Sequence, residues 1–187
     1  MVTLGALVLP IILSAVFVFV VSSIIHMGVQ WHKNDCKKMP NEDKVLDALR
    51  AHGVPPGEYV FPNAASMKEF SSPEMKAKLE KGPVGSLLIR PPAGNSMGKS
   101  LLQWFLYCLV VSVFVAYVAS RTLRPGTHYL EVFQIAGAMA VTVYALSNVM
   151  NSIWKGVSWG TTAKFVLDGI IYGLVTAGTF GWLWPKG

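Results

Sequence analysis

One carboxylate stands inside an apolar stretch, Asp168 in AKFVLDGIIYGLVTAGTFGWLWP (residues 163–185). A charge in hydrocarbon is costly and by default marks an ion pathway or a buried pair. Lys164 lies one helical turn earlier, so the two share a face. Both fall in the first turns of their segment, where the helix dipole favours an anion. Upstream, Asn148 and Asn151 are three residues apart and put two amides on one face, able to hydrogen-bond a neighbouring helix. These residues predict a polar intramembrane cluster of Asp168, Lys164, Asn148 and Asn151. In it Asp168 accepts from an asparagine or is neutralised by Lys155 or Lys164. A structural tie between helices is the leading reading, and an ion or proton route is the rival.

A second group with chemistry is HMGVQWHKNDCKKM (residues 26–39), which holds His26, His32, Asp35, Cys36 and Met39. Imidazole, thiolate and thioether together suit copper or zinc. The spacing offers no C-x-x-C pair and no H-x-x-x-H pair. If a helix continued through both histidines, their rings would point in different directions, and the flanking lysines oppose a dication. Metal binding by His26, His32, Cys36 and Met39 is therefore the weaker alternative to side chains snorkelling at the membrane edge. A third group, His128 and Glu131 with Arg121 and Arg124, reads as a structural cluster at a helix end. Phosphate-loop, nucleophile-elbow and zinc-protease motifs are absent, and Glu42 and Asp43 pair only at a helix start. No catalytic residue, enzyme activity or cofactor is predicted.

The elements that carry these groups follow from composition. The chain has 187 residues, 52% hydrophobic and 14% charged, against about 25% charged in soluble domains. Four windows hold almost no charge and are each about the 20 residues a bilayer core requires. They run over about 2–25, 101–120, 129–154 and 162–184. Pro10 bends the first only mildly, and no Lys or Arg precedes its apolar run, so it does not read as a cleaved leader. The fold class predicted is an all-α membrane protein, a four-helix transmembrane bundle forming a single membrane domain. Between spans one and two lies a polar insert, residues 26–100. Its segments alternate in type. PNEDKVLDALRAHGVPPG reads as a short helix with Asn41 as N-cap, and SSPEMKAKLEKG as another with Ser72 as cap, Pro73 first and Gly82 last. EYVFP and VGSLLIRPP read as short strands that can pair, giving a small α+β insert, and PPAGNSMGKS is a turn-rich linker.

Small residues mark where helices approach. Gly169 and Gly173 form a small-xxx-small pair, Gly178 extends it, and Ala136, Gly137, Ala138 and Ala140 make a spine on span three. Spans three and four therefore form a tight antiparallel hairpin, and this surface is also where a protein partner or a second copy is expected. The formal charge of +6 comes from basic residues flanking spans, which excludes a nucleic-acid reading. Lys33, Lys37, Lys38, Arg90, Lys99, Lys155 and Lys164 lie on the insert side, against Arg121, Arg124 and Lys186 on the other. The positive-inside rule then places the insert in the cytoplasm and both termini outside. All six tryptophans fall near span ends, at headgroup depth. Cys36 and Cys108 lie in unlike surroundings and are not expected to bridge.

The segments GPVGSLLIRPP, SMGKSLLQWF, SIWKGVSW and DGIIYGLVTAGTFGWLWP resemble a group of uncharacterised small bacterial integral membrane proteins with four spans. The likeness extends over nearly the whole chain. It implies a multi-pass protein of the bacterial cytoplasmic (inner) membrane and transfers no functional residue. The function expected is that of a non-enzymatic accessory or assembly subunit of a membrane complex. The alternatives are a small transporter or channel using Asp168 with Asn148 and Asn151, and a metal-handling protein.

Overall fold

The computed structural model describes residues 2–92 and 96–187; the linker expected over 91–100 falls partly outside them. Two compact units form, one from residues 1–36 and 96–187, the other from 37–95. The sequence put the insert boundary at residue 26, so residues 26–36 join the bundle unit instead.

The bundle unit contains four helices long and apolar enough to cross a bilayer, which makes this a multi-pass membrane protein. Helix α1 (Val8–Ser23) is preceded by a 3-10 turn over Leu4–Leu7 and followed by a π-helical turn over Ile24–Val29. In the insert unit, α2 spans Glu42–Ala51, β1 Gly57–Phe61, α3 Met67–Phe70, α4 Pro73–Lys81 and β2 Gly85–Ile89. The bundle resumes with α5 (Met97–Thr122), α6 (Tyr129–Tyr144), α7 (Val149–Lys155) and α8 (Trp159–Trp182).

Without a hydrophobic drive between helices in lipid, close packing and hydrogen bonds hold such a bundle together. Helices α6 and α8 pack backbone to backbone. A Cβ on Gly173 would stand 2.9 Å from Val141 N, and one on Gly137 3.2 Å from Ala177 Cβ. Gly178 meets only Tyr129 Oη, at 3.7 Å. Inside the bundle Ser14 Oγ donates to Ser112 Oγ at 2.9 Å, joining α1 to α5, and Trp104 Nε1 donates to Ser22 Oγ at 2.8 Å. Leu7, Val18, Val115, Val132 and Phe180 are fully enclosed around these ties. At the opposite end, Trp184 Nε1 donates to Arg124 O at 2.9 Å, pinning the chain after α8 to the α5–α6 loop.

Span three is not one helix. After Tyr144 the chain takes a 3-10 turn, Leu146–Asn148, before α7 resumes. A break in lipid frees carbonyls that must find donors. The Asn148 amide supplies them, donating to Tyr144 O at 2.8 Å and Ala145 O at 3.4 Å.

In the insert, β1 and β2 pair antiparallel from Gly57 with Ile89 to Phe61 with Gly85. Ser72 Oγ accepts from Met75 N, Pro73 opens α4, and Gly82 ends it at φ +60°. Asn41 differs from expectation: it stands before α2 in the left-handed region at φ 51°, and its side chain caps nothing.

Candidate functional site

The site lies where the chain leaves α1. The π-helical turn closes at Gln30, a non-glycine residue in the left-handed conformation at φ 54°. That reversal folds His32 back beside His26, so the rings stack with centroids 4.9 Å apart and 13° between planes. A helix continuing through both residues would have separated them, which is why the sequence pattern argued against their meeting.

From this position His32 bridges two carboxylates. Its Nδ1 lies 2.5 Å from Asp35 Oδ2, and its Nε2 lies 2.8 Å from Asp168 Oδ2, on α8 and 136 positions later in the chain. The partner of Asp168 is thus neither an asparagine nor a lysine. Lys164 instead donates to Asp35 Oδ1 at 2.5 Å and to Trp31 O at 2.8 Å. The sequence placed Lys164 and Asp168 on one face, and they do flank one site, but each holds a different residue of the segment after α1. The hydrogen bond from Lys164, and then that from His32, hold the Asp35 carboxyl below the usual carboxylate range.

Around this line the walls are aromatic. Phe165 stacks on His32 with centroids 4.5 Å apart, and Trp31 meets it edge-on at 6.2 Å. The Asp168 side chain is 2% exposed and that of His32 13%, so their contact is shielded from bulk water and strengthened accordingly. A neutral imidazole carries one N–H. Two carboxylate contacts therefore require a second proton in the cluster or a cation in place of one. Three buried atoms here have no hydrogen-bond partner among the described residues: Asp168 Oδ1, Trp31 Nε1 and Tyr172 Oη.

The other sequence candidates lie elsewhere. Asn148 is engaged with Tyr144 O and Ala145 O at the break in span three, and the Asn151 carbonyl accepts from Val157 N as α7 ends; among the described residues neither is hydrogen-bonded to Asp168. Gly169 and Gly173 face α6, one turn apart and directly after Asp168, so the close approach fixes the depth at which the carboxylate sits. Cys36 is exposed and reduced, Cys108 is buried, and Met39 is exposed in the insert unit. At the far end, His128 Nδ1 accepts from Leu130 N, Arg121 lies over the Tyr117 ring at 5.5 Å, and Glu131 has no ion pair among the described residues. Sequence reasoning missed Ser22, whose carbonyl orients His26, and Phe165. Neither residue type carries a signal for such a role.

Comparison with protein-family models, characterised proteins and solved structures gives no match, so the reading of function rests on the geometry above.

Proposed function

We propose that this protein is a non-enzymatic accessory or assembly subunit of a membrane complex, residing in a bacterial cytoplasmic membrane with the insert on the cytoplasmic side. The basic residues near the insert-side span ends support that orientation. The observation that carries the functional reading is the exposed face of the insert hairpin. Glu58 pairs with Leu88 and Val60 with Ser86, so these four side chains share one face. On it Val60 is 62% and Leu88 57% exposed. Two exposed aliphatic side chains set among polar ones on an ordered unit suit a surface that meets another protein. The glycine face of α8 is already occupied by α6 of the same chain, which leaves the insert and the outer helix faces for a partner.

The test is purification of tagged protein from its own membrane, at native expression in mild detergent, followed by mass spectrometry. A stoichiometric partner that is lost in Val60→Asp/Leu88→Asp, with the bundle still folded, supports the reading. A protein that purifies alone contradicts it.

One observation favours a second reading, passage of a cation through the bundle: the His32–Asp168 contact. In that case Asp168→Asn abolishes flux in liposomes without disturbing the fold. Against it, a groove on the bundle lined by Phe17, Val20, Leu174, Thr179 and Trp182 is almost wholly apolar.

A further inference from the structure

We infer that His26, His32 and Asp168 form a binding site for a divalent first-row transition metal ion, zinc or cobalt in chemistry, where α1 ends against α8. One ligand atom from each residue lies within 4.8 Å of the other two. The inference is independent of the accessory reading and rests on three further features.

First, both imidazoles are oriented by their other nitrogen. His26 Nδ1 lies 3.0 Å from Ser22 O. A carbonyl only accepts, so Nδ1 carries the hydrogen and Nε2 is left with the lone pair. His32 Nδ1 faces Asp35, itself fixed by Lys164, which leaves His32 Nε2 turned toward Asp168. A ligating histidine almost always has its second nitrogen held by a carbonyl or a carboxylate in this way. This chain supplies one of each.

Second, Asp168 is buried and aimed into the site with one oxygen unused. Its Oδ2 meets His32, and Oδ1 has no hydrogen-bond partner among the described residues. A buried carboxylate oxygen without a donor is costly, and a cation drawn to this carboxylate offsets that cost.

Third, the ligand atoms are within reach of what coordination requires. Metal bonds of about 2.0–2.2 Å put tetrahedral ligand atoms about 3.3–3.6 Å apart. The 2.8 Å between His32 Nε2 and Asp168 Oδ2 opens by roughly half an ångström to reach that range. The His26 ring tips inward from its stacked position. It is exposed at the helix end and turns about its Nδ1 contact with Ser22 O, and the same exposure gives an ion a way in from water. Two imidazoles and one carboxylate select borderline metals over magnesium or calcium. Three protein ligands leave a fourth position open. The Cys36 thiol is not among the clustered ligand atoms.

The test uses the full-length protein in detergent, stripped with a chelator and titrated with Co2+ and then Zn2+. The expected result is one saturable equivalent of Co2+ with visible d–d absorption and no thiolate charge-transfer band, bleached by Zn2+. His26→Gln removes a ligand from an exposed position and abolishes that spectrum while the fold persists. Asp35→Asn, which frees the support of His32, weakens affinity about 10–100-fold. Cys36→Ser changes nothing. Absence of a one-to-one site in the unaltered protein overturns the inference. So does binding that survives His26→Gln, or a thiolate band that vanishes with Cys36→Ser. Should Asp168→Asn fail to fold, His26→Gln still decides.

Discussion

Gly169→Ala places one methyl group where α8 crosses α6, and the structure sets its size. The new Cβ would lie 2.5 Å from Ala145 Cα and closer still to the carbonyl carbon and oxygen of Tyr144. Ordinary contact between carbon atoms is about 3.5–4.0 Å. The helices must therefore part by about 1 Å, because all three obstructing atoms are backbone and no rotamer change relieves them. Overpacking of this kind costs about 1–3 kcal/mol, and a backbone obstacle puts Gly169 at the upper end. Alanine's better helix propensity returns about 1 kcal/mol, for a net loss of about 2 kcal/mol. Gly160, in the first turn of the same helix, meets nothing within 4 Å, so Gly160→Ala should be neutral or slightly stabilising. Gly178→Ala should be tolerated too, since its nearest neighbour stands at ordinary contact distance, 3.7 Å. Unfolding by SDS in mixed micelles, followed by tryptophan fluorescence, separates the three. A Gly169→Ala protein as stable as the unaltered one refutes the close approach, and equal losses at all three sites refute its localisation.

Two further outcomes follow from the same contacts. Ser112→Ala removes the tie to Ser14; both serines also reach carbonyls on their own helices, so the loss should stay near 0.6 kcal/mol, the average for hydrogen bonds between membrane helices. A loss above about 1.7 kcal/mol in the same SDS assay would show that the backbone carbonyls give no fallback. Lys164→Met leaves Asp35 Oδ1 and Trp31 O without the Lys164 donor. Lys164 is 36% exposed, so solvent weakens the pair, and amides 31–36 should exchange modestly faster by hydrogen-exchange mass spectrometry while α6 is unchanged. Unaltered exchange in 31–36 would contradict the tie.

How much was legible in the sequence varies with the range of the interaction. The four spans follow from charge depletion over fixed lengths, and the α4 caps and the two short strands from short-range rules, and the structure contains them. The approach of α8 to α6 was signalled by Gly169 and Gly173, because only a missing Cβ permits it. The partner of Asp168 was not legible. It depends on Gln30 adopting a left-handed conformation that glycine or asparagine usually supplies, and nothing in HMGVQWH announces that turn. Asn148 misleads for a related reason. Its amide is an equally good donor to a neighbouring helix or to its own broken turn, and only the break after Tyr144 decides between them. Asn41 shows the limit of cap rules: the residue type is right, but its backbone is left-handed and its side chain makes no cap hydrogen bond.

The central claim is that the segment leaving α1 is fastened to α8 through His32 and Asp168, and a double-mutant cycle tests it most directly. His32→Ala, Asp168→Ala and the double variant are unfolded in mixed micelles. A shielded contact between a carboxylate and an imidazole 2.8 Å apart predicts a coupling energy of about 1.5–3 kcal/mol. Strictly additive effects of the two substitutions would contradict the pairing and, with it, the site.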